Sequence, residues 1–224
     1  MAALALAHPE ALTPPSRQLV AQLAARAWAG DVYLAGSAAL ALYAGHRQVQ
    51  DLDLMTATNR LTGPERRDLL ADLLDLSAET RVETARDGYL FARVGTVGLR
   101  LFYYPYPLIE PAAELSGLAV ASALDLGLMK IAAIISRGGK RDFVDLYLLC
   151  RKLGLGELLE RAADKFGHVR DFPLQALKGL SDLSFAEGEP MPRLDEELPW
   201  STVAEWVRDE VRTLGRAHVG WPEP

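Results

Sequence analysis

The sequence has very little cysteine: Cys150 is the only one among 224 residues, so an internal disulfide cannot form. Disulfide frameworks belong to oxidising compartments, and this composition therefore favours a reducing cytoplasm. The first residues have no basic segment before their short apolar stretch, so we expect no secretory signal peptide. The longest nearly apolar segment, 123–135, is interrupted by Asp125 and Lys130 and is shorter than the ~20 residues that a membrane-spanning helix needs. We expect a soluble, cytoplasmic protein without a membrane span.

An excess of positive charge is also missing. The chain has 24 Lys and Arg against 30 Asp and Glu, a formal net charge of −6. This balance argues against a broad basic surface that coats nucleic acid, although it leaves room for a local basic patch. Half of the residues are hydrophobic, which is ample for a packed core, and the length suits one large domain or two small ones.

The most informative segment lies between residues 33 and 55. An apolar run ends at Gly36 and Ser37 and is followed by small residues, which predicts a strand, a tight turn and a helix with Ser37 as its N-cap. Gly36 allows the backbone to approach an anion closely, and a helix N-terminus favours negative charge. Asp51 and Asp53 lie two residues apart on the next predicted strand, so their carboxylates project from one face. Two hard oxygen ligands opposite a phosphate-binding turn suit Mg²⁺-assisted phosphoryl or nucleotidyl transfer.

Two segments together resemble a known family. Gly36-Ser37, thirteen intervening residues and Asp51-x-Asp53 resemble the signature of the nucleotidyltransferase superfamily, whose fold is the DNA polymerase β palm. More narrowly, AGSAALALYAGHRQVQDLDL resembles the AbiEii/AbiGii family of nucleotidyltransferase toxins. The segment LMKIAAIISRGGKRDFVDLYLL resembles that family's second block, in which a Lys is followed seven residues later by Arg and then by Asp-x-x-Asp-Leu. The resemblance covers residues 31–150.

The resemblance implies a set of site residues. Mg²⁺, as one or two ions, would bind Asp51 and Asp53, and an NTP would be the substrate. The residues implied in catalysis are Asp51, Asp53, Lys130 and Asp145. The residues implied in nucleotide binding are Gly36, Ser37, Arg47, Lys130 and Arg137. The alternative for the aspartate pair, taken alone, is that both are ordinary exposed strand residues or turn formers.

Lys130 is the most unusual residue of the second block, because it lies in an otherwise apolar helix. A buried ammonium costs several kcal/mol unless it is paired. Its side chain either extends to the surface or points at a triphosphate and neutralises charge on the leaving pyrophosphate. Asp145 and Asp142 could orient Lys130, bind the nucleotide or anchor the helix, and the resemblance favours Asp145. We expect Lys140 to lie in an exposed turn.

One departure from the superfamily pattern concerns the third carboxylate that many palm nucleotidyltransferases carry on a later strand. The matching strand here offers Arg100, Phe102 and Tyr103 but no acid. The general base is therefore unassigned. The gap favours a second hypothesis, a catalytically degenerate fold that only binds a nucleotide or a protein.

The hydrophobic patterns predict an α/β (α+β) fold, with a nucleotidyltransferase palm over residues 1–121 and a helical region over 122–224. In the palm we expect a strand at 79–87 with one solvated face, an Asp87–Gly88 hairpin and an edge strand within 117–122. In the helical region we expect one helix over 156–166, a loop over 185–199 and a capping box at Thr202 and Glu205.

The leading functional hypothesis is an Mg²⁺-dependent nucleotidyltransferase that moves a nucleotide from an NTP to an acceptor. The resemblance implies the toxin of a type IV toxin–antitoxin system, with a tRNA 3′ end as acceptor and a cognate antitoxin protein as partner. Transfer to a small molecule, as in antibiotic-modifying relatives, is a third hypothesis. The acidic net charge is compatible with it.

Overall fold

Alternating apolar residues build one mixed sheet in the computed structural model, which describes residues 4–219. Its seven strands have the order β3-β4-β5-β2-β1-β7-β6. The strands are β1 (Tyr33–Ala35), β2 (Leu52–Thr56), β3 (Arg81–Arg86), β4 (Tyr89–Val94), β5 (Val97–Tyr103), β6 (Ala113–Leu115) and β7 (Leu118–Val120). The predicted α/β class with a mixed sheet is confirmed.

Ten α-helices accompany the sheet within the described residues. They are α1 (Pro14–Ala24), α2 (Gly36–Ala44), α3 (Gly63–Leu74), α4 (Ala123–Arg137), α5 (Lys140–Cys150), α6 (Leu155–Glu160), α7 (Ala162–Phe166), α8 (Phe172–Ser181), α9 (Ser184–Gly188) and α10 (Trp200–Val219). In the part of the chain that the structure describes, no helix combines the length and apolar character needed to cross a membrane.

The chain divides into two compact units, Met1–Ala123 and Leu124–Pro224. The first unit contains the whole sheet, and the described part of the second contains helices. The boundary expected from the sequence, after residue 121, lies two residues earlier than this division. That the two units are separate domains stays a prediction.

The centre of the sheet positions the motif. β2 pairs antiparallel with β1, where Asp53 lies opposite Ala35, and parallel with β5, where Asp53 lies opposite Arg100. The two strands of the motif are therefore neighbours, and the strand expected to carry a third acid lies on the other side of β2. Residues 38–43 of α2 are all buried, and the three alanines among them allow close packing.

Two strand predictions were wrong in part. All six residues of β3 are exposed, whereas the sequence predicted one solvated face. β3 forms the edge of the sheet, and among the described strands it pairs with β4 alone, so no strand covers its other side. The segment 118–120 was expected at an edge, but β7 lies between β1 and the edge strand β6, which the sequence did not predict. The Asp87–Gly88 hairpin is present, with Gly88 at φ 70°.

The helical predictions for the second unit also need correction. The helix expected over 156–166 is two short helices, α6 and α7. The loop expected over 185–199 begins inside helix α9. Helix α10 begins at Trp200, so Thr202 lies inside the helix and does not cap it.

Candidate active site

The turn between β1 and α2 brings the backbone close to the aspartate pair. Gly36 has φ 62°, a left-handed conformation that glycine adopts without steric cost. A Cβ at this position would collide with Oδ2 of Asp53 and lie 3.1 Å from Asp53 Cβ. Glycine is required here for two separate reasons, its backbone conformation and the approach of Asp53.

Ser37 lies in the first turn of α2 and is half-buried. The N-cap of this helix is Ala35, so the prediction that Ser37 is the N-cap was wrong. The reason is that helix α2 begins at Gly36, earlier than the sequence pattern suggested. The first amide groups of a helix have no intrahelical acceptor, so this turn still presents donors of the kind that bind phosphate.

The aspartate pair lies on the solvated face of β2. Leu52 and Leu54 are fully buried, whereas the side chains of Asp51 and Asp53 are 44% and 27% exposed. The two carboxylates therefore project from the same face of the strand, as the two-residue spacing predicted. Asp51 Oδ1 also accepts a hydrogen bond from the backbone amide of Gly98 at 3.1 Å.

Arg100 on β5 joins the two carboxylates. Its guanidinium donates to Asp51 Oδ2 and to Asp53 Oδ1, each at 3.3 Å. Burial lowers the pKa of Arg100, but the charges and hydrogen bonds of Asp53 and Asp51 outweigh it, so the pKa is raised. The strand expected to carry a third acid thus carries a cation, which offsets one of the two negative charges of the pair.

The position of the Arg100 guanidinium indicates whether Asp51 and Asp53 could bind a divalent cation. Both carboxylates converge on one positive group and remain accessible to solvent. Carboxylate oxygens are the ligands that Mg²⁺ prefers, and it commonly takes one or two from the protein and the rest from phosphates and water. Asp51 and Asp53 fit that donor set. Among residues 4–219, no group of three or more His, Cys, Asp or Glu side chains is placed to hold a metal.

The substitution Gly36→Ala should damage the site and the fold together. The left-handed conformation costs a non-glycine residue about 1–2 kcal/mol. In addition the new Cβ would push Asp53 away from Arg100 and from the turn. We expect a lower melting temperature and loss of most nucleotide transfer, measured by thermal unfolding and by incorporation of labelled NTP.

Gly95 provides the matched control for this substitution. It has φ 57°, but a Cβ there would meet nothing within 4 Å. Gly95→Ala should therefore carry the same backbone strain without displacing Asp53. If both variants lose activity to the same extent, the contact between Gly36 and Asp53 has no special role.

A second cluster of charges lies within the helical unit. Lys130 on α4 forms ion pairs with Asp142 Oδ1 at 3.1 Å and with Asp145 Oδ2 at 2.6 Å, both on α5. The side chain of Lys130 is 9% exposed, and those of the two aspartates are 2% and 1% exposed. Lys130 is therefore paired in the interior of its unit. These ion pairs offset the free-energy cost of burying an ammonium in an apolar helix.

Arg137 extends this cluster to the surface. Its side chain is 65% exposed, and Nε and Nη2 donate to the two oxygens of Asp142 at 2.7 and 2.8 Å. Burial raises the pKa of Asp142, but the hydrogen bond from Arg137 and the charge of Lys130 outweigh it, so the pKa is lowered. Burial likewise lowers the pKa of Lys130, and Asp145 and Asp142 raise it by more. Lys130 and Asp142 are therefore both held in their charged forms.

The remaining predicted residues have separate surroundings. Arg47 Nε donates to His46 Nε2 at 3.2 Å, and its role in nucleotide binding stays a prediction. Lys140 was expected in an exposed turn, and this was wrong, because the residue is 6% exposed. Its ammonium donates to the backbone carbonyl oxygens of Glu187 and Glu189, which close over it.

Sequence reasoning missed two features of the charge arrangement. It gave Arg100 no partner, although an arginine opposite Asp53 follows once β2 and β5 are paired. It also missed the ion pair between Lys165 Nζ and Asp125 Oδ1 at 2.7 Å, in which both side chains are fully buried. The only available signal was Asp125 in an apolar helix. Cys150 is a half-buried thiol, and burial followed by the charge of Glu210 raises its pKa, so it is not an activated nucleophile.

Comparison with known proteins finds a matching family and similar proteins. The family model "Nucleotidyl transferase AbiEii toxin, Type IV TA system" matches residues 17–200. An uncharacterised protein of Aquifex aeolicus (strain VF5) is 31% identical over 187 residues, which cover 81% of this chain and 87% of the relative. A crystal structure from H. pylori, described as a candidate nucleotidyltransferase, aligns with a TM-score of 0.55 at 17% identity, covering 93% of this chain and 95% of that chain.

Proposed function

The chain belongs to the AbiEii family of nucleotidyl transferase toxins, and from that premise we propose Mg²⁺-dependent transfer of a nucleotide from an NTP to an acceptor. The chain is a nucleotidyltransferase by family and by fold. The observation that supports the metal and the donor most directly is the convergence of Asp51 and Asp53 beside the glycine turn. We place the reaction in the cytoplasm, where NTP and Mg²⁺ are available.

Asp51 and Asp53 are the proposed ligands of the divalent ion. Once bound, that ion would polarise the transferred phosphoryl group and neutralise charge on its oxygens. The hydrogen bond from the Gly98 amide fixes Asp51, and Asp53 lies directly beside the glycine turn and accepts a hydrogen bond from Arg100. Both carboxylates are thus held by neighbouring groups, which favours a site whose geometry exists before the substrate binds.

The turn at Gly36 and Ser37 is the proposed binding site for the β- and γ-phosphates. It combines the start of α2, whose dipole favours negative charge, with a glycine that allows close approach. Ser37 adds a hydroxyl in the first turn that can donate to a phosphate oxygen. Arg47 is proposed as a further contact to the nucleotide.

Lys130, Asp145 and Arg137 belong to a charged cluster within the helical unit, and we propose that these residues contribute to catalysis or nucleotide binding. Arg137 is largely exposed and is held in place by Asp142, so it is the cation of this cluster that a triphosphate can reach from solvent. Lys130 is buried between Asp142 and Asp145, so its proposed contribution is to hold the charged cluster in position. That either residue meets a triphosphate stays a prediction.

The proposed acceptor is the 3′ end of a tRNA, and the proposed protein partner is a cognate antitoxin. The family description supports the partner, since it names a toxin of a type IV toxin–antitoxin system. The test is incubation with each labelled NTP, Mg²⁺ and total RNA, followed by separation of the products. Label on tRNA would support the proposal, whereas label on a small molecule, or none at all, would contradict it.

Arg100 favours one second candidate function, a fold that binds nucleotide without transferring it. In this candidate the guanidinium permanently occupies the position of the cation. The assay separates the two candidates, because a degenerate fold would retain NTP binding in equilibrium dialysis and would move no label.

We expect Arg100→Met to bind a divalent cation more tightly than the unaltered protein. Arg100 competes for both carboxylates, and each partly exposed ion pair contributes up to about 1 kcal/mol. Loss of both ion pairs should therefore tighten binding of the divalent cation about 5- to 30-fold. The measurement is a titration with Mn²⁺ in the absence of nucleotide, followed by the electron paramagnetic resonance signal of free Mn²⁺.

Arg60 supplies the matched control, because it also joins two carboxylates, Asp31 at 3.1 Å and Glu65 at 3.0 Å. Arg60→Met removes the same charge from a pair that we do not propose as a metal site. An equal increase in the affinity for Mn²⁺ in both variants would mean that any released carboxylate pair binds Mn²⁺. Weaker binding by Arg100→Met would mean that Arg100 organises the carboxylates and does not compete with the ion.

A further inference from the structure

The solvated face of the sheet continues from the aspartate pair across β5 and β4 to the edge strand β3. Residues opposite each other on neighbouring strands share a face. Asp53 lies opposite Arg100, Arg100 opposite Phe91, and Phe91 opposite Thr84. The next row on the same face runs from Met55 through Phe102 and Tyr89 to Arg86. This surface, which we call the arginine–aromatic face, consists of Arg81, Arg86, Tyr89, Phe91, Arg93 and Phe102.

Flat side chains of two kinds cover this face. The rings of Tyr89 and Phe102 are 5.2 Å apart. The guanidinium of Arg86 lies 5.1 Å from the centre of the Tyr89 ring, and that of Arg93 lies 5.6 Å from the centre of the Phe91 ring. Bases of single-stranded nucleic acid stack on both aromatic rings and guanidinium planes.

The strands that carry this face, β3, β4 and β5, have a net charge opposite to that of the protein as a whole. Residues 81–103 contain four Arg, no Lys and two acids, Glu83 and Asp87, a balance of +2 against −6 for the chain. The side chains of Arg81, Arg86 and Arg93 are exposed. A local positive surface on an acidic protein is suited to a polyanion, and the arginines alternate with aromatic residues instead of forming a broad basic patch.

The position of this face relative to the proposed phosphate site is a second reason to expect that the acceptor binds there. In nucleotidyl transfer the attacking and leaving oxygens lie roughly in line on opposite sides of the transferred phosphorus. Gly36 and Ser37, which we propose to hold the phosphates, lie on the β1 side of β2. The acceptor would then approach from the β5 side, across β4 and β3. Strand β4 lies about 10 Å from β2 at the usual strand spacing, a distance that one or two nucleotides span.

We propose that the arginine–aromatic face is the surface that binds the acceptor of the proposed function, the single-stranded end of an RNA. The direction from which the acceptor approaches rests on the proposed function. The chemistry of its binding rests on the side chains of the face itself. Stacking on Tyr89 and Phe91 orders the terminal nucleotides. Arg81 and Arg86 meet their phosphates, because Arg93 is already paired with Glu83 at 3.0 Å. An open, arginine-rich sheet surface suits a flexible polyanion better than it suits a small cationic or neutral acceptor.

The test is binding of a fluorescein-labelled, unstructured 12-nucleotide RNA, measured by fluorescence anisotropy without NTP or divalent ion. We expect Tyr89→Ala and Phe91→Ala to weaken binding about 5- to 100-fold, since stacking of one base contributes about 1–3 kcal/mol. The double variant Arg81→Gln/Arg86→Gln changes only exposed side chains of the edge strand and should keep the fold. It should weaken binding and lower the salt dependence, by about 0.7 in the logarithmic slope for each phosphate that the variant no longer neutralises.

Arg67→Gln is the matched control, because Arg67 is exposed on helix α3 and lies outside the sheet. It removes one positive charge, compared with two in the double variant, and should bind the RNA as the unaltered protein does. A duplex of the same sequence should bind much more weakly than the single strand, because its bases cannot stack on the rings. Equal binding of duplex and single strand, or binding by all face variants within twofold of the unaltered protein, would overturn the proposal.

Failure of this inference is distinguishable from failure of the proposed function. If the face variants bind RNA normally while the unaltered protein transfers nucleotide, the reaction stands and the acceptor binds elsewhere. If the face variants lose RNA binding while no labelled NTP is transferred to any acceptor, the RNA surface stands and the proposed reaction is wrong.

Discussion

Replacing Asp51 with Asn is expected to lower nucleotide transfer about a thousandfold or more while leaving the fold intact. A bound metal ion contributes several kcal/mol of stabilisation to the transition state, and each 1.36 kcal/mol corresponds to a factor of ten in rate. Asn keeps the shape of the side chain and can still accept the Gly98 amide, but it has no charge to hold the ion. The rate is measured with labelled NTP at saturating Mg²⁺.

Asp68 gives the control for this change of charge. It is exposed on α3, outside the sheet, and Asp68→Asn should retain the full rate. Melting temperatures of both variants should lie close to that of the unaltered protein, because the side chain of Asp51 is 44% exposed and its ion pair is partly solvated. A rate for Asp51→Asn above one tenth of the original would remove Asp51 from the metal site.

The parts of this site that could be predicted from the sequence depend on local geometry. The two-residue spacing of Asp51 and Asp53 fixes a common face in any strand, and the alternation with Leu52 and Leu54 shows which face is buried. The close approach at Gly36 follows from the same kind of reasoning, since a glycine between a strand and a helix marks a turn that other residues do not adopt easily.

The parts that could not be predicted depend on contacts between distant segments. Arg100 reaches Asp51 and Asp53 only because β5 pairs parallel with β2, 47 residues away from Asp53 in the sequence. The burial of Lys140 depends on backbone carbonyls 47 and 49 residues further on. Neither contact has a signature in the spacing of residues. The exposure of β3 has the same origin, because its alternating pattern does not show that the sheet ends at this strand.

The arginine–aromatic face also could not be predicted from the sequence. Its arginines are 5 to 12 residues apart in the sequence and form no run that charge counting would find. Three strands must be paired in register before the rings and guanidinium groups lie together. The net charge of −6 pointed away from nucleic acid, whereas the local arrangement on one sheet face favours the proposed RNA acceptor.

Replacing Lys130 with Met is expected to cost about 3–5 kcal/mol of unfolding free energy. Removal of one partner from a buried ion pair leaves an uncompensated charge, and here two carboxylates, Asp142 and Asp145, would lose their shared cation. Arg137 would still neutralise Asp142, but Asp145 would lose the ammonium at 2.6 Å. The measurement is chemical denaturation followed by circular dichroism.

Lys165→Met is the control that separates stability from nucleotide binding. Lys165 forms an equally buried ion pair with Asp125 in the same unit and has no proposed role in the site. Both lysine variants should lose stability to a similar extent. Only the Lys130 variant should also raise the KM for NTP, because it alone disturbs the cluster that positions Arg137.

Arg137→Gln tests whether the cluster binds nucleotide without a large loss of stability. Its side chain is 65% exposed, so its loss should cost less than about 1 kcal/mol of stability. If Arg137 meets the triphosphate, this variant should raise the KM for NTP at least as much as Lys130→Met does, with the fold unharmed. A KM raised in Lys130→Met and Lys165→Met alike, and unchanged in Arg137→Gln, would show that the cluster stabilises the helical unit and takes no part in binding the nucleotide.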